Sequence, residues 1–114
     1  MAPTTLEGQV TTTSPYGRQK EHCGLPIRMS ELLATLDGAC FVERVSMHDV
    51  PHIIQAKKAI KKALTYQMEG RGFSFVELLS TCPTNWGMTP KAALGWLKDN
   101  MIPYYPLGVK KEVE

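Results

Sequence analysis

Long apolar runs are missing from this sequence, and so is any strong excess of one charge. No stretch approaches the roughly 20 apolar residues that a membrane-spanning helix requires, and none near the start resembles the apolar core of a secretory signal. Lys and Arg number 13 against 11 Asp and Glu, a formal net charge of +2. So small a charge does not indicate nucleic acid or an acidic membrane surface. We therefore expect neither a membrane nor a nucleic-acid partner.

Cysteine is scarce, and the glycine-rich loops that bind phosphate are absent. The three cysteines, Cys23, Cys40 and Cys82, form no CxxC pair, so a reducing cytoplasmic compartment is the simplest prediction. Neither a glycine-rich loop ending in Gly-Lys-Ser/Thr nor a GxGxxG fingerprint is present. The chain on its own is therefore not expected to hold a diphosphate group or its Mg²⁺ ion.

The N-terminal segment is poor in apolar side chains and rich in Thr, Ser, Pro and Gly. Its first 18 residues contain one leucine, one valine and a single aromatic, Tyr16. This composition predicts neither an amphipathic helix nor a half-buried strand. We interpret residues 1–26 as a loop of the active-site type, supported by a scaffold that lies elsewhere in the fold.

From residue 27 the pattern becomes that of an α/β protein, with helices and strands in alternation. The predicted elements are a helix over 27–36, a strand over 39–46, a helix over 49–69, a strand over 73–79 and a helix over 89–101. In the long helix we expect Asp49 to be the N-cap and Gly70 to follow the last turn. Its predicted apolar stripe comprises Val50, Ile53, Ile54, Ile60, Leu64 and Met68.

Strand, helix and strand in this order predict one βαβ unit with parallel strands and a right-handed crossover. Two parallel strands alone do not make a stable sheet. Residues 27–101 are therefore expected to form part of a larger α/β domain, followed by an extended tail over 102–114.

Ligands of open parallel sheets gather beyond the carboxyl ends of the strands, which here are residues 46–49 and 80–87. The second segment joins a thiol, hydroxyls, an amide and an indole. It is either a pocket wall or subunit contact, or a plain βα loop in which Trp86 covers the core. The sequence leaves both interpretations open.

Three other features favour structural interpretations over chemistry. Cys82 lacks an evident histidine base, so a buried or supporting thiol is favoured over a nucleophile. His48 and His52 have a spacing that can bind a metal, but no third ligand is evident, and they are interpreted as ordinary helix-start residues. The lysine cluster at 57–62 is expected to be a solvated helix face. We thus predict no catalytic residue and no metal site.

Several motifs spread over nearly the whole chain resemble one enzyme family. The shorter ones are Glu43-Arg44-Val45, Ala56-Lys57-Lys58-Ala59-Ile60-Lys61-Lys62-Ala63 and Gly72-Phe73-Ser74. The more specific ones are Leu79-Ser80-Thr81-Cys82-Pro83-Thr84-Asn85-Trp86-Gly87-Met88-Thr89-Pro90, Tyr104-Tyr105-Pro106-Leu107-Gly108 and the N-terminal run Met1-Ala2-Pro3-Thr4-Thr5, Gly8 and Thr11-Thr12-Thr13-Ser14-Pro15-Tyr16-Gly17-Arg18. By these motifs the chain resembles the C-terminal part of the β subunit of 2-oxoacid:ferredoxin oxidoreductases. The branched-chain 2-oxoacid (3-methyl-2-oxobutanoate) and 2-oxoglutarate types are the nearest.

The resemblance implies the C-terminal portion of a thiamine-diphosphate-binding fold, and a thiamine-diphosphate-dependent oxidative decarboxylation. Such enzymes convert a 2-oxoacid to acyl-CoA and CO₂ and pass the electrons through iron–sulfur clusters to ferredoxin. The implied partners are the N-terminal half of the β subunit, the α subunit with γ or δ subunits, ferredoxin, coenzyme A and the 2-oxoacid. The family's segments for Mg²⁺, diphosphate and cluster binding precede the part that matches Met1. The isolated chain is therefore expected to be inactive and to bind none of these cofactors tightly.

The resemblance also assigns candidate cofactor-binding residues, which fall in two groups. The active-site loop contributes Pro3, Thr4, Thr5, Thr13, Pro15 and Gly17, and the loop after the second strand contributes Cys82, Pro83 and Asn85. An alternative remains open, in which the chain is a non-catalytic half-domain that acts as a binding or interaction module.

Overall fold

The computed structural model describes residues 2–113 as an α/β fold with short helices before and after its sheet. The helices are α1 (Lys20–Cys23), α2 (Met29–Ala34), α3 (Val50–Met68), α4 (Pro83–Trp86), α5 (Pro90–Trp96) and α6 (Ile102–Tyr104), and the strands are β1 (Ala39–Ser46), β2 (Phe73–Leu79) and β3 (Gly108–Glu112). No helix in the described part is both long and apolar enough to cross a membrane.

The sheet is mixed and has the strand order β2-β1-β3. Strands β1 and β2 pair in parallel, which confirms the predicted βαβ unit, and β3 pairs antiparallel to β1. The third strand was not predicted from the sequence. Its residues, Gly-Val-Lys-Lys-Glu, are mostly charged, a composition that suits an exposed sheet edge but gives little strand signal.

Helices α2 and α3 lie on opposite faces of β1. Neighbouring side chains of a strand point in opposite directions, so adjacent residues of β1 contact different helices. Val45 packs against Ala56 and Ala59 of α3. On the other face Arg44 is fully buried and donates hydrogen bonds to Glu31 of α2, at 2.5 and 2.7 Å, and to Glu77 of β2. The Arg44 guanidinium holds the pKa of the Glu31 carboxyl below its usual value.

The predicted bounds of α3 are nearly those observed, with Asp49 as the N-cap, accepting from the His52 backbone N–H at 2.9 Å. The predicted apolar stripe, however, does not form the buried face. The buried residues of the helix are Ala56 and Ala59, whereas Leu64 is 61% and Met68 89% exposed. Small alanine side chains let the helix approach the sheet closely, so the bulkier residues turn away from it.

The C-terminal helices form a second core beyond the end of β2. Thr89 is the N-cap of helix α5, and its side chain accepts from the Ala92 N–H. The helix is followed directly by a π-helical segment, Leu97–Met101. Pro103 lacks the N–H that a continuing α-helix needs, which accounts for the altered hydrogen bonding just before it. The buried residues of this core are Leu79, Leu97, Met101 and Tyr105.

Candidate functional site

The N-terminal segment is folded back onto the loop that follows β2. Thr12 donates its backbone N–H to the Asn85 carbonyl at 3.0 Å and its hydroxyl to the Asn85 side-chain oxygen. Tyr105 donates its hydroxyl to the Thr4 carbonyl at 2.9 Å, and Leu6 packs against the C-terminal core. The two segments that contain the predicted site residues are therefore neighbours in space.

Arg18 organises this N-terminal segment, although it was not among the residues predicted for the site. The residue is only 5% exposed, and its guanidinium donates to six backbone carbonyl oxygens. The acceptors are Ala2 at 3.2 Å, Pro3 at 3.2 Å, Thr5 at 2.9 Å, Cys23 at 3.2 Å, Gly24 at 3.0 Å and Leu25 at 3.2 Å. One guanidinium thus joins both ends of the segment, and a single arginine in a polar loop has no periodicity that would predict this.

Gly17, one of the predicted site residues, has a backbone conformation that restricts the position to glycine. Its φ is +86°, and a Cβ built there would lie 2.9 Å from the Gly8 carbonyl oxygen. Both features restrict the position to glycine. The adjacent bridge between Glu7 and Arg18 holds the two arms of the loop together.

A cavity of about 210 Å³ lies where the N-terminal segment meets the loop after β2. It brings together four of the predicted site residues, Thr4, Thr5, Cys82 and Asn85. The full lining is Ala2, Thr4, Thr5, Gln9, Ser80, Thr81, Cys82, Asn85, Trp86 and Met101. This lining contains hydroxyls, amides, a thiol, an indole and a thioether, and no charged side chain.

The other predicted residues lie outside this cavity. Thr13, Pro15 and Gly17 line a separate recess of about 180 Å³ together with Cys23. Pro3 accepts from the Ile27 N–H through its carbonyl at 3.0 Å, and Pro83 is the first residue of α4. The N-terminal candidates therefore divide between two recesses and the backbone that supports them.

Of the two expectations for Cys82, a buried or a supporting thiol, the first is wrong, because Cys82 is exposed. The residue precedes α4 as its N-cap position and faces the open cavity, which leaves its side chain accessible to solvent. Short helix α4, which was predicted as irregular loop, begins with Pro83 in its first turn and ends at Gly87 in the left-handed conformation.

At the carboxyl end of β1, the residues from Ser46 to His52 form a polar cluster. The Ser46 hydroxyl and His48 Nδ1 are 2.7 Å apart, and His48 Nε2 lies 3.2 Å from Asp49 Oδ2. Asp49 Oδ1 lies 2.5 Å from His52 Nδ1, and the two imidazole centroids are 4.2 Å apart. The structure thus supplies a carboxylate between the two histidines, which spacing alone did not reveal.

The surroundings of this cluster shift two pKa values. Burial lowers the pKa of His48; the Asp49 carboxylate opposes this effect, and the positive charges of His52 and Lys98 reinforce it. The backbone N–H of His52 holds the pKa of Asp49 below its usual value. At neutral pH the His48 ring is therefore uncharged and Asp49 is a carboxylate.

Comparison with known proteins finds relatives among oxidoreductase subunits. No family model matches the sequence, and no solved structure matches it. The ketoisovalerate oxidoreductase subunit VorA of Methanothermobacter thermautotrophicus is 47% identical over 107 residues, which is 94% of this chain and 22% of the relative. VorA of Methanothermobacter marburgensis has the same identity and coverage.

Relatives with lower sequence identity have names that refer to a different substrate, 2-oxoglutarate. The 2-oxoglutarate synthase subunit KorB of Methanothermobacter marburgensis is 36% identical over 107 residues, covering 90% of this chain and 33% of the relative. The chain thus spans a third or less of these relatives' lengths, while the similarity extends over nearly all of its own residues. The chain is therefore homologous to the C-terminal region of the β subunit of 2-oxoacid:ferredoxin oxidoreductases.

Proposed function

We propose that this chain forms one wall of the active site in a thiamine-diphosphate-dependent 2-oxoacid:ferredoxin oxidoreductase that acts on branched-chain 2-oxoacids. The observation that carries the proposal is the 47% identity to the ketoisovalerate oxidoreductase subunit over 94% of the chain. The corresponding identity to the 2-oxoglutarate synthase subunit is 36% over 90% of the chain.

The cavity chemistry supports the choice of an aliphatic substrate. A 2-oxoglutarate molecule has a second carboxylate, and burying it without a cationic partner is costly. The cavity between the N-terminal segment and the loop after β2 has no charged lining residue, whereas Trp86 and Met101 offer apolar surface. A branched aliphatic side chain suits such a lining better than a carboxylate does.

The same lining fits only part of the coenzyme. Thr5, Gln9 and Asn85 are neutral hydrogen-bonding residues that suit an uncharged heterocycle. A diphosphate with Mg²⁺ calls for carboxylate, amide and backbone N–H ligands on a dedicated loop, which the proposal assigns to the rest of the subunit. Thiamine diphosphate, when bound, would supply the decarboxylation chemistry, and this chain would position and enclose the reacting groups.

We place the iron–sulfur clusters in other parts of the proposed complex. A cluster held by cysteine usually needs four thiolates, and this chain has three cysteines on separate elements: Cys23 on α1, Cys40 in β1 and Cys82 before α4. Cys40 is buried, with its sulfur 3.5 Å from the Ser74 hydroxyl. We therefore place electron transfer to ferredoxin outside these residues.

The surface of the chain supports its role as one region of a larger assembly. Strand β2 is a sheet edge, and its Phe73 and Leu78 are 46% and 37% exposed. The radius of gyration is 15.4 Å, compared with about 13 Å for a compact domain of this length. The chain is elongated and exposes apolar residues along the edge strand β2 and on helix α3. The proposal is that other parts of the complex cover these residues.

Titration calorimetry with thiamine diphosphate and Mg²⁺ tests whether coenzyme binding requires the rest of the complex. We expect no tight binding to the 114-residue chain, because the diphosphate ligands lie elsewhere. We expect stoichiometric binding to the complete complex. Micromolar or tighter binding to the chain alone would contradict the proposal.

The substrate assignment has its own test in the complete complex. We expect the kcat/KM for 3-methyl-2-oxobutanoate to exceed that for 2-oxoglutarate by about tenfold or more, since an unpaired buried carboxylate raises the barrier. An equal or reversed ratio would overturn the branched-chain assignment and leave the family assignment intact.

A further inference from the structure

We propose that His48, Asp49 and His52 form a binding site for a divalent transition-metal ion at the carboxyl end of β1. The site differs from the diphosphate-bound Mg²⁺ of the proposed function and does not rest on that function. Two imidazoles and one carboxylate are ligands that suit Zn²⁺ and neighbouring ions, and they leave at least one coordination position open.

The distances between the ligand atoms permit coordination after small side-chain rotations. One ligand atom from each residue can be chosen so that all three lie within 4.8 Å of one another. Bonds of about 2.0–2.2 Å in a tetrahedral site place ligand atoms roughly 3.3–3.6 Å apart. Two of the side chains can make this adjustment, because Asp49 is 43% and His52 32% exposed.

His48 is the fixed member of the site. Its side chain is only 5% exposed, and its Nδ1 lies 2.7 Å from the hydroxyl of Ser46, which is itself 1% exposed. A hydrogen bond to the far nitrogen is the usual means by which proteins orient a metal-binding histidine. Here it directs Nε2 toward the Asp49 carboxylate, 3.2 Å from Oδ2.

Asp49 can serve the helix and the metal at the same time. Its Oδ1 accepts the His52 backbone N–H at 2.9 Å and caps α3. Its Oδ2 is directed to His48 and is available to an ion. Capping alone would be satisfied by asparagine equally well, so the charge of Asp49 is the feature that separates a metal ligand from a simple cap.

The site lies beside the proposed active-site wall. Strands β1 and β2 are parallel, and the Met47 N–H donates to the Leu79 carbonyl at 3.3 Å, so residues 46–49 and 80–82 emerge at the same sheet edge. The exposed sides of Asp49 and His52 leave the open coordination position facing solvent. That position can take water or a side chain from another part of the complex.

Calorimetric titration of the 114-residue chain with Zn²⁺, together with Co²⁺ absorption spectra, tests the proposal. We expect one ion per chain and ligand-field bands of a low-coordinate Co²⁺ site. Asp49→Asn and His52→Gln are each expected to weaken binding at least tenfold. His22→Gln is the matched control, since this histidine adjoins the exposed Cys23, the alternative adventitious site.

Circular dichroism of each variant separates lost ligands from lost folding. Asp49→Asn keeps the helix cap, so its melting curve should match that of the parent chain while its metal affinity falls. The proposal is overturned if the chain binds no Zn²⁺ at micromolar concentration. It is also overturned if binding persists unchanged in Asp49→Asn and His52→Gln, or if it is lost in His22→Gln.

Discussion

At the scale of single residues, two buried polar side chains hold the N-terminal segment against the α/β scaffold. Arg18 donates to six carbonyl oxygens, and Tyr105 donates to the Thr4 carbonyl from a fully buried position. Neither residue lines the cavity with Thr5 and Asn85. Both act by fixing the backbone that carries the lining residues.

Substituting Arg18→Lys should destabilise the chain by about 2 kcal/mol or more, because hydrogen bonds from a charged donor are among the stronger ones. Lysine has one ammonium in place of the planar fork and cannot reach acceptors on both sides. Urea unfolding measures the difference. Arg71→Lys, at an exposed ion pair with Glu69, is the matched control and should change stability little. Equal midpoints for the two variants would contradict the role of Arg18.

Tyr105 should make stability depend on pH in the alkaline range. Burial raises the pKa of its hydroxyl from 10.0 to about 12. The unfolded chain therefore loses this proton first, and the contribution of Tyr105, intact below pH 10, is lost as the pH rises toward 12. The loss approaches about 2–3 kcal/mol at the upper end.

The pH effect is isolated by comparing Tyr105→Phe with the parent chain in urea at pH 8 to 11.5. Near pH 8 the variant should be less stable by about 1 kcal/mol, because the hydrogen bond to the Thr4 carbonyl is lost. The gap should narrow or reverse above pH 10. Tyr16→Phe, at a residue that is 91% exposed, should show no such trend. A gap for Tyr105→Phe that stays constant with pH would refute the assignment.

At the scale of elements, sequence periodicity predicts the bounds of α3 correctly but not the face of the helix that is buried. The observed helix, Val50–Met68, agrees closely with the predicted one because the cap, the proline and the following glycine are local signals. The buried face is instead chosen by Ala56 and Ala59, which allow close contact with Val45. The larger aliphatic side chains of the predicted stripe do not pack against β1, and most of them are exposed.

This arrangement predicts opposite responses on the two faces of α3. Leu64→Gln, at a residue 61% exposed, should change the unfolding free energy of the chain by less than about 0.5 kcal/mol. Ala59→Leu should destabilise it by about 1–3 kcal/mol, because the larger side chain cannot fit against β1. Urea unfolding compares the two variants. A large loss for Leu64→Gln with none for Ala59→Leu would reverse the assignment of the faces.

Other elements show where sequence-based prediction stops. Strands β1 and β2 have the predicted bounds because turn residues flank compact apolar runs. Strand β3 was missed because its pairing with β1 is remote in sequence and its residues are mainly charged. In the candidate site, Thr5 and Asn85 were predicted as residues of two separate loops, and their position in one cavity was not predicted. The Thr5 carbonyl accepts a hydrogen bond from Arg18 at 2.9 Å, and no local pattern encodes this tertiary contact.

At the scale of the whole molecule, three features agree with the proposal that the chain is one region of a larger enzyme: the exposed stripe of α3, the edge strand β2 and the uncharged cavity. The stripe comprises Val50, Ile54, Ile60, Leu64 and Met68, all at least 40% exposed. Covering such residues removes apolar surface from water. The similarity to VorA covers 22% of that relative's length.

Immunodepletion of a source-cell extract tests the central claim most directly. Antibody raised against residues 89–114 removes the polypeptide, and reduction of methyl viologen by 3-methyl-2-oxobutanoate with coenzyme A is measured before and after. The account predicts that this activity leaves the extract with the polypeptide and is recovered on the antibody, while a non-immune antibody removes none. Full activity in the depleted extract, with the polypeptide bound to the antibody and no 2-oxoacid-dependent reduction there, would contradict the account.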